Sequence, residues 1–251
     1  MTNSIKVKKI NEVTATHLPE TKTISPACPS MVITEAALRD CIEHVLDFLP
    51  RESAGILVVE KDETPTITRY IRCRQRGPEL GGAGELSLGD EERALLRQEN
   101  VLGVIRIHSH TMENRPPHFG DIDADRYDTP LLMPGVTLLG HSSVGCPQTL
   151  VELGLNRITD PDKRKELIDA YAKNPGKYFH IYVYRNTPVT EEELRERDQE
   201  NAMLDAIYRA GGSAAIGEYW DKRGPRTKII YEPEGGEPQA LLRAKFRRIR
   251  H

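Results

Sequence analysis

Long apolar runs, abundant cysteine and a dominant sign of charge are all missing from this chain. No stretch approaches the ~18 consecutive apolar residues that a membrane-crossing helix requires, so no such helix is expected. The 251 residues include four cysteines, at positions 28, 41, 73 and 146. No two of them are spaced as C-x-x-C. A chain of this length buries a core without disulfide staples, so the expectation is reduced thiols and a cytoplasmic location. Lys and Arg number 35 against 38 Asp and Glu, a net charge of −3. That balance does not suit a surface built to coat nucleic acid or an anionic membrane. The opening residues "MTNSIKVKKINEV" lack the apolar centre of a secretory signal. The glycine-rich stretch at 77–89 contains "GGAG" but not the Gly-Lys-Ser/Thr ending of a phosphate loop.

The rest is a mixed α/β pattern. In "TEAALRDCIEHVLDFLP", Leu38, Cys41, Ile42, Val45 and Leu49 recur at helical spacing, with Thr34 as the cap and Pro50 as the stop. "AGILVVE" and "TITRYIRCR" read as paired strands, "DEERALLRQEN" as a short helix from Asp90, and "VLGVIRIHSH" as a β-branched strand. "GVTLLGHSS", "TLVELGLN" and "YFHIYVY" are further strand candidates, and "DPDKRKELIDAYAKNP" is a helix set between the last two. The clearest helix is "TEEELRERDQENAMLDAIYRAGG", with a Thr190–Glu193 capping box and a Gly211–Gly212 end. A strand is expected in "TKIIYEP". The basic end "ALLRAKFRRIRH" places Leu242, Phe246 and Ile249 on one helical face, which suits an amphipathic helix packed on the domain or docked to an acidic partner. Nucleic-acid binding is not favoured there, since one aromatic among five cations is a thin footprint. These elements predict a layered α/β (α+β) fold.

The chemistry concentrates in "HSHTMENRPPHFGDIDADRYD", from His108. Residues i and i+2 of a strand share a face, so His108 and His110 present two imidazoles to one place. Asp121 follows a ten-residue loop long enough to fold back beside them. Two imidazoles and a carboxylate leave a tetrahedral zinc with one open position, as a catalytic site needs. Calcium does not fit. Asp121, Asp123 and Asp125 imitate the first ligands of an EF-hand, but Arg126 stands where the turn needs glycine and Leu132 where a bidentate glutamate is needed. A polar surface turn and a closed metal site, with His118 as a fourth ligand, are the other readings of this stretch. His141 ends another strand and could lie near the site, though a histidine so placed is more often a core or rim residue. Cys146 has no support as a nucleophile beyond its nearness in sequence to that histidine.

The spacing His108-x-His110, seven residues, His118, two residues, Asp121, together with Glu52 in "ESAGILVV", resembles the JAMM (MPN-plus, JAB-domain) metalloproteases. Pro117 matches the proline of that motif. Thr111 stands in place of its usual proline, and His118 in place of its serine. The resemblance covers roughly 31–187. It leaves 1–30 as a tail or added strand and 188–251 as an extension holding the long helix, a strand and the basic end. It implies a curved mixed β-sheet flanked by helices. It also implies zinc (Zn2+) on His108, His110 and Asp121, with Glu52 as general base and His118 as oxyanion donor. The implied substrate is a ubiquitin-like protein cleaved behind its C-terminal tail, and modifier-conjugation enzymes are the implied partners. A catalytically silent scaffold of the same fold is the competing expectation.

Overall fold

The computed structural model describes residues 31–75, 84–85, 88–111, 114, 117, 120–121, 133, 135–146, 158–184, 190–224, 229–231 and 242–245. The N-terminal 30 residues, the expected strand "TLVELGLN" and most of the glycine-rich loop lie outside them. Thr34 caps α1 (Glu35–Phe48) through the Ala37 amide, and the helix buries Ala37, Leu38, Cys41, Ile42, Val45 and Leu46. The strands that follow are β2 (Ala54–Glu60) and β3 (Thr66–Arg72), which pair antiparallel. The β4 strand (Arg74–Gln75) pairs with β5 (Gly84–Glu85) in a separate ribbon. Next come α2 (Asp90–Leu96), β6 (Val101–Ser109) and β7 (Leu138–Val144). Asp160 caps α3 (Pro161–Lys173), and β8 (Phe179–Tyr184) follows a single 3-10 turn.

One mixed sheet of eight strands holds these elements together, in the order β10-β1-β3-β2-β6-β7-β8-β9, where β1 is Met31–Thr34, β9 is Ile229–Tyr231 and β10 is Leu242–Lys245. The residues of β2 alternate between two cores, Leu57 and Val59 in one and Ile56 and Val58 in the other. Helices α1 and α3 cover the first face with Leu38, Ile42, Leu167 and Ile168. On the second face Leu88 and Leu96, from α2 and the segment before it, pack on Val104, Leu138 and Tyr182. An Arg72–Asp40 pair and an Arg164–Asp47 pair tie α1 to β3 and to α3 at the rim of the first layer.

Two features of the C-terminal region differ from the sequence expectation. The long helix does not end at the glycine pair. It continues as α4 (Glu191–Arg223), broken at Gly212, whose φ of 66° is the left-handed geometry that glycine adopts without penalty. Glu200 meets Arg223 at 2.6 Å and accepts a hydrogen bond from Tyr219 at 2.5 Å. In a straight helix 23 residues (223 − 200) would separate that pair by about 35 Å, so α4 doubles back on itself as a hairpin. The basic end is not helical where it is described. Residues 242–245 form β10, parallel to β1, with Met31 opposite Leu242 and Thr34 opposite Lys245. The bare edge of β1 offers backbone hydrogen bonds that outweigh a weak helical periodicity. The expected strand in "TKIIYEP" is β9 (Ile229–Tyr231), on the opposite margin beside β8. Among the described residues no helix is long and apolar enough to cross a membrane.

Two buried histidines make the fold sensitive to acid. Burial first, and the nearby Arg72 second, hold the pKa of His44 down at about 4. Its Nδ1 accepts the Tyr70 hydroxyl at 2.7 Å, and burial raises the Tyr70 pKa so that the hydroxyl keeps its proton. Burial likewise lowers His180 to about 4. An unfolded histidine titrates near 6.5, so between ~6.5 and ~4 the unfolded chain binds more protons and stability falls as the pH drops. Thermal melts should show the midpoint declining from pH 7 to pH 4.5, less so in His180→Leu. A level midpoint over that range would contradict the assignment.

Candidate metal centre

Strand register builds one end of the second sheet face. In the β2–β6 pair Ala54 lies opposite His108. Beyond it, Ser109 N–H donates to the Ser53 carbonyl, and Ser53 N–H donates to Ser109 Oγ, both at 2.8 Å. The same antiparallel step brings Glu52 level with His110. Side chains alternate along each strand, so Glu52, Ala54, His108 and His110 share a face, while Ser53 and Ser109 are buried on the other. A glutamate some 55 residues away in sequence (108 − 52 = 56) thus belongs to the histidine pair by backbone pairing alone.

His108 stands at the centre. Its Nε2 lies 2.8 Å from His110 Nε2 and 3.8 Å from Asp121 Oδ2. Its Nδ1 lies 2.8 Å from His141 Nε2. Ligand atoms of His108, Asp121 and His141 all fall within 4.8 Å of one another, so these three residues can hold a metal ion. The sequence pattern joined His108 to His110 and Asp121. The structure sets His108 beside each of them, but the group whose ligand atoms are mutually close takes in His141, which is also buried, and not His110. Donor atoms around a tetrahedral zinc are about 3.3 Å apart, given bonds of about 2.0–2.1 Å. Two bare imidazole lone pairs repel at the spacing found here, so each such contact calls for a shared proton or a cation. Imidazoles with a carboxylate suit zinc or a neighbouring first-row ion. His118 lies outside the described residues.

Asn114, in the loop between His110 and Asp121, holds that loop to the sheet. Its Oδ1 accepts from His180 Nε2 at 3.0 Å, and its amide donates to the Lys177 carbonyl at 3.0 Å. Gly145 makes this approach possible, since a Cβ there would strike the Asn114 side chain. The other end of the loop rests on the helical hairpin. A Cβ at Gly120 would meet the indole of Trp220, so the ring lies directly on the turn that carries Asp121. Trp220 is in turn covered by the Arg223 guanidinium, 4.8 Å from its ring. Cys146 is a buried thiol whose pKa burial pushes up to about 11, which suits packing and not nucleophilic attack. No family model and no curated protein matches the chain.

Trp220 is the only tryptophan in the sequence, so the protein's tryptophan fluorescence reports on the surroundings of this one ring. Gly120→Val should displace the indole and red-shift the emission while the far-ultraviolet circular dichroism is kept. An unchanged emission maximum in a folded Gly120→Val protein would mean that the hairpin does not rest on the Asp121 turn.

Proposed function

We propose that this protein is a zinc-dependent hydrolase of the JAMM type, an isopeptidase that releases a ubiquitin-like modifier from its target or precursor. The observation that carries this reading is His108 at one end of the sheet, with His110 and Asp121 beside its Nε2 and Ala54, two residues after Glu52, opposite it on β2. The mixed sheet with helices on both faces is the architecture that the resemblance implies.

In this reading His108, His110 and Asp121 hold the ion. When bound, zinc supplies Lewis acidity and lowers the pKa of a coordinated water towards 7. Glu52 is placed to take a proton from the attacking water and pass it to the departing amine. His118 or a backbone N–H donates to the carbonyl oxygen as it gains charge. Burial of His110 and Ser109 keeps bulk water from the inner side of the pair, which strengthens every charge interaction in the site. The substrate class follows from the resemblance. A slender glycine-ended tail can lie beside the metal where a folded surface cannot, and modifier-conjugation enzymes are the natural partners.

A second reading has its own observation. His118 replaces the serine of the motif, and the α4 hairpin exposes Leu194, Met203 and Tyr208. Both suit a scaffold that binds a partner without turnover.

One experiment separates the two. Purified protein is mixed with a modifier–protein fusion, with and without chelator, and zinc is counted per chain. We expect one zinc per chain and cleavage that stops on chelation. Glu52→Gln should keep the zinc and slow cleavage about 10²–10⁴-fold, the usual contribution of a general base. Full activity in Glu52→Gln would remove that residue from the mechanism. Stoichiometric zinc with no cleavage of any fusion would favour the scaffold.

A further inference from the structure

The two ring nitrogens of His108 face in different directions and meet different partners. Nε2 is on the side of His110 and Asp121, at 2.8 and 3.8 Å. Nδ1 is 2.8 Å from His141 Nε2. The nitrogen that faces His110 and Asp121 would hold the ion, while the nitrogen on the other side of the ring is engaged by His141. We propose that His141 is the positioning residue of the metal centre. Its Nε2 accepts the Nδ1–H of His108, which fixes the tautomer that leaves the Nε2 lone pair for the metal. This inference rests on the metal-centre reading above.

Three further observations support the assignment. His141 is 5% exposed, so its ring cannot swing out into solvent. It is held on β7, where it pairs with Arg106 of β6 and with Tyr182 of β8, strands that immobilise it from both sides. It also reaches this face only through an irregularity in the sheet. Val104 pairs with Leu138, but the next residue, Ile105, pairs with Gly140. The skipped Leu139 turns into the opposite core, and the shift brings His141 to the same face as His108. With regular pairing, position 141 would stand beside Ile107 and point into the apolar layer. A histidine whose other ring nitrogen is held by a fixed acceptor is the usual way to orient a metal-binding imidazole, and removing the acceptor commonly costs 10–100-fold in metal affinity.

The test uses the full chain and needs no substrate. Zinc affinity is measured by competition with a chromophoric chelator for wild type, His141→Ala and His141→Gln. Thermal melts of the metal-stripped proteins establish that each variant folds. The cobalt-loaded proteins are compared by visible absorption. We expect His141→Ala to bind zinc about 10–100-fold more weakly. His141→Gln, whose amide oxygen reaches the same point as Nε2, should recover most of the loss. The cobalt bands of both variants should keep the wild-type position and intensity, because the ligand set is unchanged. Equal zinc affinity in folded His141→Ala would overturn the proposal. So would a cobalt spectrum altered in intensity as for a lost ligand, which would make His141 a ligand instead. A wild-type chain that holds no zinc would sink the metal reading itself, a different outcome from wild-type binding that His141→Ala leaves intact. If His141→Ala does not fold, His141→Gln carries the test alone. It must then bind within a few-fold of wild type, with wild-type cobalt bands, and a large loss or a changed spectrum would refute the proposal.

Discussion

The meeting of Glu52 with the histidine pair depends on one register, that of β2 against β6. Antiparallel strands have a side-chain period of two, so a slip of one residue would turn Glu52 to the face opposite His108 and His110. The slip is prevented from both sides. Ile56 and Val58 fill one core while Leu57 and Val59 fill the other, and an exchange would force mismatched volumes into each. At the end of the ladder the reciprocal bonds between Ser53 and Ser109 close the pair with side chains that are themselves buried. Broken bonds there would leave polar atoms stranded in the core, at about 1–3 kcal/mol each. A polar cluster is therefore held in place by an apolar pattern several residues away.

Much of the fold was legible in local chemistry. Thr34 and Thr190 announce their helices, and each makes the capping bond that its type suggests. The β-branched runs at 54–60 and 101–109 become the centre of the sheet. The His-x-His spacing was readable because a strand keeps residues two apart on one face. What escaped has physical reasons. His141 sits where sheet irregularity reverses the alternation, and a period of two read from "GVTLLGHSS" cannot know that Leu139 is skipped. Trp220 reaches the Asp121 turn through a hairpin whose fold-back depends on a single positive φ at Gly212. The glycine pair looked like an end and is a corner. Leu242, Phe246 and Ile249 carry a helical periodicity, yet an unpaired strand edge recruited residues 242–245. The function itself was legible only as a resemblance, and the role of His118 lies outside what the described residues address.

The site also shows how a polar corner is accommodated on an apolar sheet. His108, His141 and His180 follow one another across β6, β7 and β8, on the face whose other end holds Val104, Leu138 and Tyr182. Each imidazole meets a neighbour: His108 and His141 meet each other, and His180 meets Asn114. Asn114 is the junction, since it joins the loop between the proposed ligands to both β8 and the 3-10 turn. The loop is thus fastened at Asn114 and at Gly120, with the stretch between them carrying Pro117, which is buried. Two fastenings on a short loop restrict where Asp121 can go, and an ion-binding carboxylate gains affinity from such restriction because less entropy is lost on coordination.

The two margins of the sheet are occupied by β9 and β10, which lie close together in sequence but at opposite ends of the strand order. A polypeptide leaves the ribosome from its amino end, so β1 and β8 emerge long before the strands that cover them. During that interval both carry unpaired backbone donors and acceptors, the surface on which neighbouring nascent chains pair. The barrier against such pairing on these two strands is in place only once β9 and β10 have been made.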